Sequence, residues 1–315
     1  MNIAATLLMA LARRFKKGGV IVNEHTLTNA QTELHLQVLG RWFDFIALDE
    51  LPQRMARPGR RPFCLLTFDD GKRSNFSQTA PVLERLRVPA VFYLTTGPVT
   101  TGSAFWFDQR ERIVKALGCC PSGLELAALK KLPFDQLMER LERVGAKCDL
   151  QTEGEPDDLR PMSWDEARSL NQRGFAVGAH GVTHAILTRE NRQKAFGEIE
   201  ESLGKVSLEL GSRCRTFAFP NGNWDRELAQ HAERCGARTI MTTEPTWVDH
   251  TAALWHLPRV QIFGGSSRAR IESKIALAAV RGALANPDGT GRRYREGRTA
   301  GGTLSPGVPV PGTSR

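Results

Sequence analysis

The sequence predicts an α/β fold built on a parallel sheet, and three observations carry that expectation. Short apolar, β-branched runs alternate with segments of helical spacing from residue 18 to residue 263, the pattern of strands joined by helical crossovers. The conspicuous polar clusters fall at the C-terminal ends of these runs, the face that carries chemistry in a barrel or an open α/β sheet. The 315 residues are 41% hydrophobic, enough to build a sizeable core in one large domain with insertions or in two small ones.

Along the chain, residues 3–17 read as a short helix broken by Gly18-Gly19, and Val20-Ile21-Val22 as a strand with the polar tip Asn23-Glu24-His25. Residues 29–40 have helical spacing, with Leu34, Leu36, Val38 and Leu39 at the apolar positions. A short strand follows at 43–47, then a small helix from Asp49, a Pro/Arg loop at 57–62 and the strand Phe63–Phe68. Residues 78–87 form a helix with Leu83 and Leu86 facing inward, and Pro89–Leu94 a strand tipped by Thr95-Thr96-Gly97. Residues 102–160 interrupt the alternation and read as an inserted helical segment with an acidic loop, Glu153–Asp158. Ser163 with Glu166 is a capping box opening a helix that Gly174 ends. Strands at 175–179, 216–219, 239–242 and 257–263 alternate with helices at 190–210 and 225–235. Beyond residue 285 a Gly/Pro/Arg/Thr-rich stretch without periodicity reads as a disordered tail over 286–315. The domain at 18–285 is thus flanked by an N-terminal helical segment, 1–17, and that tail.

The net charge of +9 sits mostly at the ends. Residues 1–20 carry four basic residues and no acid; residues 286–315 carry five arginines against two acids, so about +2 remains for the body. That distribution argues against nucleic acid as the partner. The six cysteines form no CxxC pair, which is neither a zinc ribbon nor a secreted disulfide framework and fits a reducing compartment. Cys64 lies in an apolar strand and reads as core. The apolar run Ile3–Leu11 precedes its positive charges instead of following them, unlike a secretory signal. The expectation is a cytoplasmic protein whose N-terminal helix can touch a membrane surface peripherally.

Chemistry concentrates in two segments. In Leu65-Leu66-Thr67-Phe68-Asp69-Asp70-Gly71 an apolar run stops at two adjacent carboxylates. Adjacent acids repel, so a fold that presents both usually supplies a cation or a shared proton. In His180-Gly181-Val182-Thr183-His184 two imidazoles follow the strand at 175–179. Together they offer one oxygen and two nitrogen ligands with a carboxylate left over, the inventory of an open catalytic zinc site plus its base. Alone, the first segment reads more readily as a solvated turn and the second as unrelated histidines; the conjunction at strand ends points to a site.

In order, Thr67-Phe68-Asp69-Asp70-Gly71, His180-x-x-x-His184 and Phe217-Ala218-Phe219-Pro220-Asn221-Gly222 resemble the motifs of the polysaccharide deacetylase family, which carries the NodB homology domain. Pro81-Val82-Leu83, Pro89–Leu94 and Leu257-Pro258-Arg259-Val260 extend the resemblance over residues 18–265. It implies a distorted (β/α)7-type barrel, a divalent metal that is usually zinc, and removal of acetyl groups from N-acetylated sugars. By the same resemblance Asp69 is the base, Asp70, His180 and His184 the metal ligands, and the N–H of Asn221, after Pro220, an oxyanion donor. Phe219 stands where many members have an arginine before the proline, and His256 precedes its strand where many have a late histidine ending one. The general acid is therefore open among His256, His25 and protonated Asp69. Arg259 is a candidate to orient Asp69. His25, Pro220 and Trp106, the last within the aromatic trio Phe105-Trp106-Phe107, are candidates to meet the sugar; packing of the inserted segment is the other reading of the trio.

The expected reaction is metal-dependent deacetylation of an N-acetylated saccharide in assembly or modification of a bacterial polysaccharide. The competing readings are hydrolysis of another C–N amide on the same fold, and a glycan-binding protein with a weakened site. The sequence carries no signal for oligomeric state.

Overall fold

The computed structural model describes residues 7, 9, 10, 17–148 and 160–285. The expected helix at 3–17, the acidic loop and the C-terminal tail lie almost wholly outside these. The sheet has eight strands: β1 (Gly19–Glu24), β2 (Asp44–Phe45), β3 (Phe63–Phe68), β4 (Ala90–Leu94), β5 (Ala176–Ala179), β6 (Thr216–Ala218), β7 (Thr239–Met241) and β8 (Val260–Gln261). The order is β7-β6-β5-β4-β3-β1-β8, with β2 on β3, and the pairings are parallel. A parallel bridge between Met241 and Leu257 ties β7 to the lead-in of β8, so the two edges of the sheet meet as in a distorted barrel.

Side-chain alternation along each strand divides the interior in two. Val20, Val22, Cys64, Leu66, Phe68, Phe92 and Phe217 share one core with the surrounding helices. Ile21, Phe63, Leu65, Val91, Tyr93, Ala218 and Met241 form a second, inner core. The parity then extends beyond the strands: Thr67 and Asp69 continue the inward set of β3, and Gly178 and His180 that of β5. Gly178 is required by proximity, because a Cβ there would lie 2.6 Å from both the Tyr93 ring and the Thr216 side chain.

The helices are α1 (Asn29–Gly40), α2 (Leu51–Ala56), α3 (Ala80–Arg85), α4 (Thr96–Thr101), α5 (Trp106–Leu117), α6 (Leu126–Leu129), α7 (Phe134–Gly145), α8 (Trp164–Gln172), α9 (Arg192–Leu210), α10 (Arg226–Arg234) and α11 (Arg268–Ala285). Ser163 caps α8 with the reciprocal Glu166 bond that its spacing predicts. Helices α5 to α7, between β4 and β5, have a small core of their own made by Trp106, Ile113, Leu124, Leu129, Leu137 and Leu141. Among the described residues no helix is long and apolar enough to cross a membrane.

Two expectations are corrected. Leu86 is 45% exposed; α3 ends at Arg85, and Arg87 takes a positive φ of 53°, so the chain turns away before Leu86 can face inward. The last strand is confined to Val260–Gln261, since Pro258 has no N–H to give a ladder and Arg259 sends its side chain into the barrel, where it is fully buried.

Candidate active site

At the C-terminal end of β3, Thr67 donates to the Val22 carbonyl and receives Nη1 of Arg259 at 3.0 Å. Arg259 reaches past it to Asp69, with Nη1 donating to Oδ1 at 2.7 Å and Nη2 to Oδ2 at 2.8 Å, while its Nε donates to the Thr242 carbonyl. The guanidinium sits 5.6 Å above the Tyr93 ring. Burial alone would raise the Asp69 carboxyl, but Arg259, then His180, holds it below the usual carboxylate range. Asp69 is therefore an ionised, oriented carboxylate.

Asp70 takes a left-handed backbone, φ 75°, which turns it out of the strand. Its Oδ1 faces His184 Nε2 at 3.2 Å and His180 Nε2 at 3.7 Å. Burial would raise this carboxyl too; the neighbouring imidazoles of His25, His184 and His180 outweigh it and keep Asp70 ionised. His180 Nδ1 lies 2.7 Å from the Ala218 carbonyl. A carbonyl only accepts, so Nδ1 carries the proton and Nε2 presents a lone pair toward the acids. Burial lowers the His180 pKa to about 4, which keeps the ring neutral.

The loop between the histidines is held from outside. Glu198 on α9 accepts the N–H groups of Val182 and Thr183 on Oε2 and the Thr183 hydroxyl on Oε1. The N–H groups of Thr96 and Gly97, which open α4, donate to the Gly181 and Val182 carbonyls. Gly181 takes a φ of 76° that other residues rarely adopt, and a Cβ there would crowd Glu198 Oε2 at 3.0 Å. His184 also has a positive φ, 61°. Its carbonyl accepts the indole N–H of Trp106 at 3.2 Å, and its ring meets that of Phe107 at 5.1 Å. The first turn of α5 reaches the Asp70 loop as well: Asp108 pairs with Lys72, whose ammonium lies 5.0 Å from the Phe105 and Phe107 rings. Burial raises the Asp108 carboxyl to about 6 against the pull of Lys72.

Asp70, His180 and His184 offer ligand atoms that all lie within 4.8 Å of one another. Tetrahedral ligands at about 2.0–2.1 Å from a metal stand roughly 3.3 Å apart, close to the separations found. Asp70 Oδ1 is buried without a hydrogen-bond partner among the described residues, as a coordinating oxygen is expected to be. The donor set therefore fits a divalent metal.

The structure brings together Asp69, Asp70, His180, His184 and Arg259. His25, half-buried at the end of β1, joins them through its influence on Asp70. Asn221 sits on the turn after β6 with φ 57°. Three further candidates have these surroundings. Trp106 is 4% exposed and spends its N–H on the His184 carbonyl, so it packs behind His184 and offers sugar no face. Pro220 is buried in its turn near Gly181 and shapes that turn. His256 is engaged elsewhere, with Nε2 at 2.6 Å from Glu244 Oε2 and its ring against Trp224, centroids 4.3 Å apart. Glu198 escaped the sequence reading, although an acid on the apolar register of α9, with Ala195, Ile199 and Leu203, was the available signal. Lys72, Asp108 and Lys130 escaped as well.

Comparison with known proteins follows the same lines. The structure of the Streptococcus pyogenes deacetylase PplD in complex with acetate superposes with a TM-score of 0.57 at 14% identity, covering 82% of this chain and 97% of that one. IcaB from Ammonifex degensii gives 0.55 at 16% identity, covering 84% and 97%. These likenesses are of fold. YxkH of Bacillus subtilis (strain 168), named for polysaccharide deacetylases, is 22% identical over 106 residues, 34% of this chain and 38% of that relative. A sequence model described as polysaccharide deacetylase matches residues 56–240, from before the Asp pair to β7 and over more than half of the chain, and on that match this chain belongs to the polysaccharide deacetylase family.

Proposed function

We propose that this protein is a zinc-dependent hydrolase that removes acetyl groups from N-acetylated sugars of a bacterial polysaccharide. The observation that carries the reading is Asp69, ionised and gripped at both oxygens by Arg259, directly beside the three-donor set. Asp70, His180 and His184 would hold the ion. When bound there, zinc supplies Lewis acidity toward the acetyl carbonyl and toward water.

The chain's own residues do the rest. Asp69 takes a proton from the attacking water as the new C–O bond forms. The Asn221 N–H donates to the oxygen that becomes an oxyanion. As the C–N bond breaks, His25 delivers a proton to the sugar nitrogen, so acetate and an amine leave. His25, half-buried at the end of β1 and near enough to act on the Asp70 carboxyl, is assigned as this acid. Arg259 and Trp106 are positioning residues.

The test is acetate release from a panel of N-acetylated oligosaccharides with zinc, with chelator and with Asp69→Asn. Release that requires the metal and disappears in the variant is expected. Tight zinc binding with no release from any saccharide would overturn the sugar assignment and leave another C–N amide as substrate or a glycan-binding protein without activity.

A further inference from the structure

Lys130 follows α6 and belongs to none of the motifs. Its Nζ donates to Oδ1 of Asn221 at 2.7 Å, which brings an ammonium from the segment between β4 and β5 onto the turn that borders the Asp/His/His centre. The side chain is half-buried, and Asp70 is close enough to act on it electrostatically. Lys72 has Asp108 as its counterion and Arg259 has Asp69. Lys130 has no carboxylate within ion-pair distance among the described residues; its polar partner is a neutral amide.

The charge balance of the site gives this lysine its meaning. Asp69 is neutralised by Arg259, and imidazoles that hold a metal do so as neutral rings. A divalent cation exceeds the single charge of Asp70, so the loaded centre is positive before Lys130 is counted. A partly desolvated ammonium without a counterion, at the lip of a positive site, has unmet attraction for an anion. It also retains donors beyond the one given to Asn221.

We infer that Lys130 is a specificity-determining residue that selects substrates bearing an anionic group, a carboxylate or a phosphate, on or next to the N-acetylated sugar. The inference rests on the deacetylase reading for the identity of the sugar. It does not rest on it for the anion, which Lys130 would bind whether or not acetate is released.

The experiment uses the full chain loaded with zinc and three matched N-acetylated disaccharides: one neutral, one with a neighbouring uronic acid, one with a phosphorylated neighbour. Both kcat/KM for acetate release and Kd by calorimetry are measured for the natural protein, Lys130→Gln and Lys130→Arg. The natural protein is expected to favour at least one anionic sugar over the neutral one by about tenfold, the weight of one charge-assisted hydrogen bond. Lys130→Gln should lose that ratio and Lys130→Arg should recover it, and the favoured arm tells carboxylate from phosphate. Equal treatment of neutral and anionic sugars by the natural protein, or a ratio unchanged in Lys130→Gln, overturns the proposal. If no disaccharide releases acetate, the calorimetric ratio still decides the role of Lys130, while the deacetylase reading alone fails.

Discussion

Arg259 grips both oxygens of Asp69 from 190 residues along the chain, at 2.7 and 2.8 Å, with neither side chain more than slightly exposed. Phe219 fills the place before Pro220 where the family resemblance leads one to expect an arginine. Arg259 supplies a guanidinium to Asp69 from the lead-in to β8, two strands from β3.

Arg259→Met would leave a buried carboxylate without its counterion. A loss of about 3–5 kcal/mol in urea unfolding is expected. Because Arg259 lowers the Asp69 pKa, its removal should also move the acid limb of the pH–rate profile to higher pH. Arg259→Lys keeps charge without the two-pronged grip and should fall between.

Trp106→Phe keeps the ring and deletes the N–H that holds the His184 carbonyl. Zinc affinity, read by competition with a chromophoric chelator, should fall about tenfold, as when the support of a ligand is lost. An unchanged affinity would reduce Trp106 to a packing residue of the small core around α5 to α7.

Glu198→Ala would strand the N–H groups of Val182 and Thr183. The expected cost is about 2–3 kcal/mol, seen as a lower urea midpoint, together with weaker zinc binding because the loop carries His184. Glu198→Gln, which still offers an acceptor, should lose less.

His180 gives the metal-free protein a defined acid sensitivity. Its pKa is about 4 when folded against an ordinary 6.5. Between those values the unfolded chain binds more protons here than the native state, so stability falls as pH drops from 6.5 toward 4. Above 6.5 the contribution is constant. The slope from this group is at most about 1.4 kcal/mol per pH unit. Urea melts of chelated protein at pH 7.5, 6.5, 5.5 and 4.5, compared with His180→Asn, isolate it.

His25→Ala and His256→Ala separate the two histidines near the sheet end. Loss of a general acid lowers kcat by about 100-fold or more, expected for His25. His256→Ala should act mainly by loosening Glu244 and Trp224, with a smaller effect on kcat. The reverse ranking would transfer the acid to His256.

What the sequence by itself determined is local. Strand alternation, the Ser163–Glu166 cap, the break at Gly174, and the placement of Asp69-Asp70 and His180/His184 at strand ends follow from spacings of a few residues, and the folded chain keeps them. Tertiary structure decided which distant groups meet. Arg259 found Asp69 because β8 lies beside β1 and β1 beside β3. Trp106 turned inward because the first turn of α5 packs against the loops of Asp70 and His184. Lys130 met Asn221 across 91 positions, and Glu198 faced the histidine loop because α9 packs on β5. Periodicity records which face of an element is buried, whereas the partner waiting at that face is fixed by strand order and register, which no short window of sequence contains.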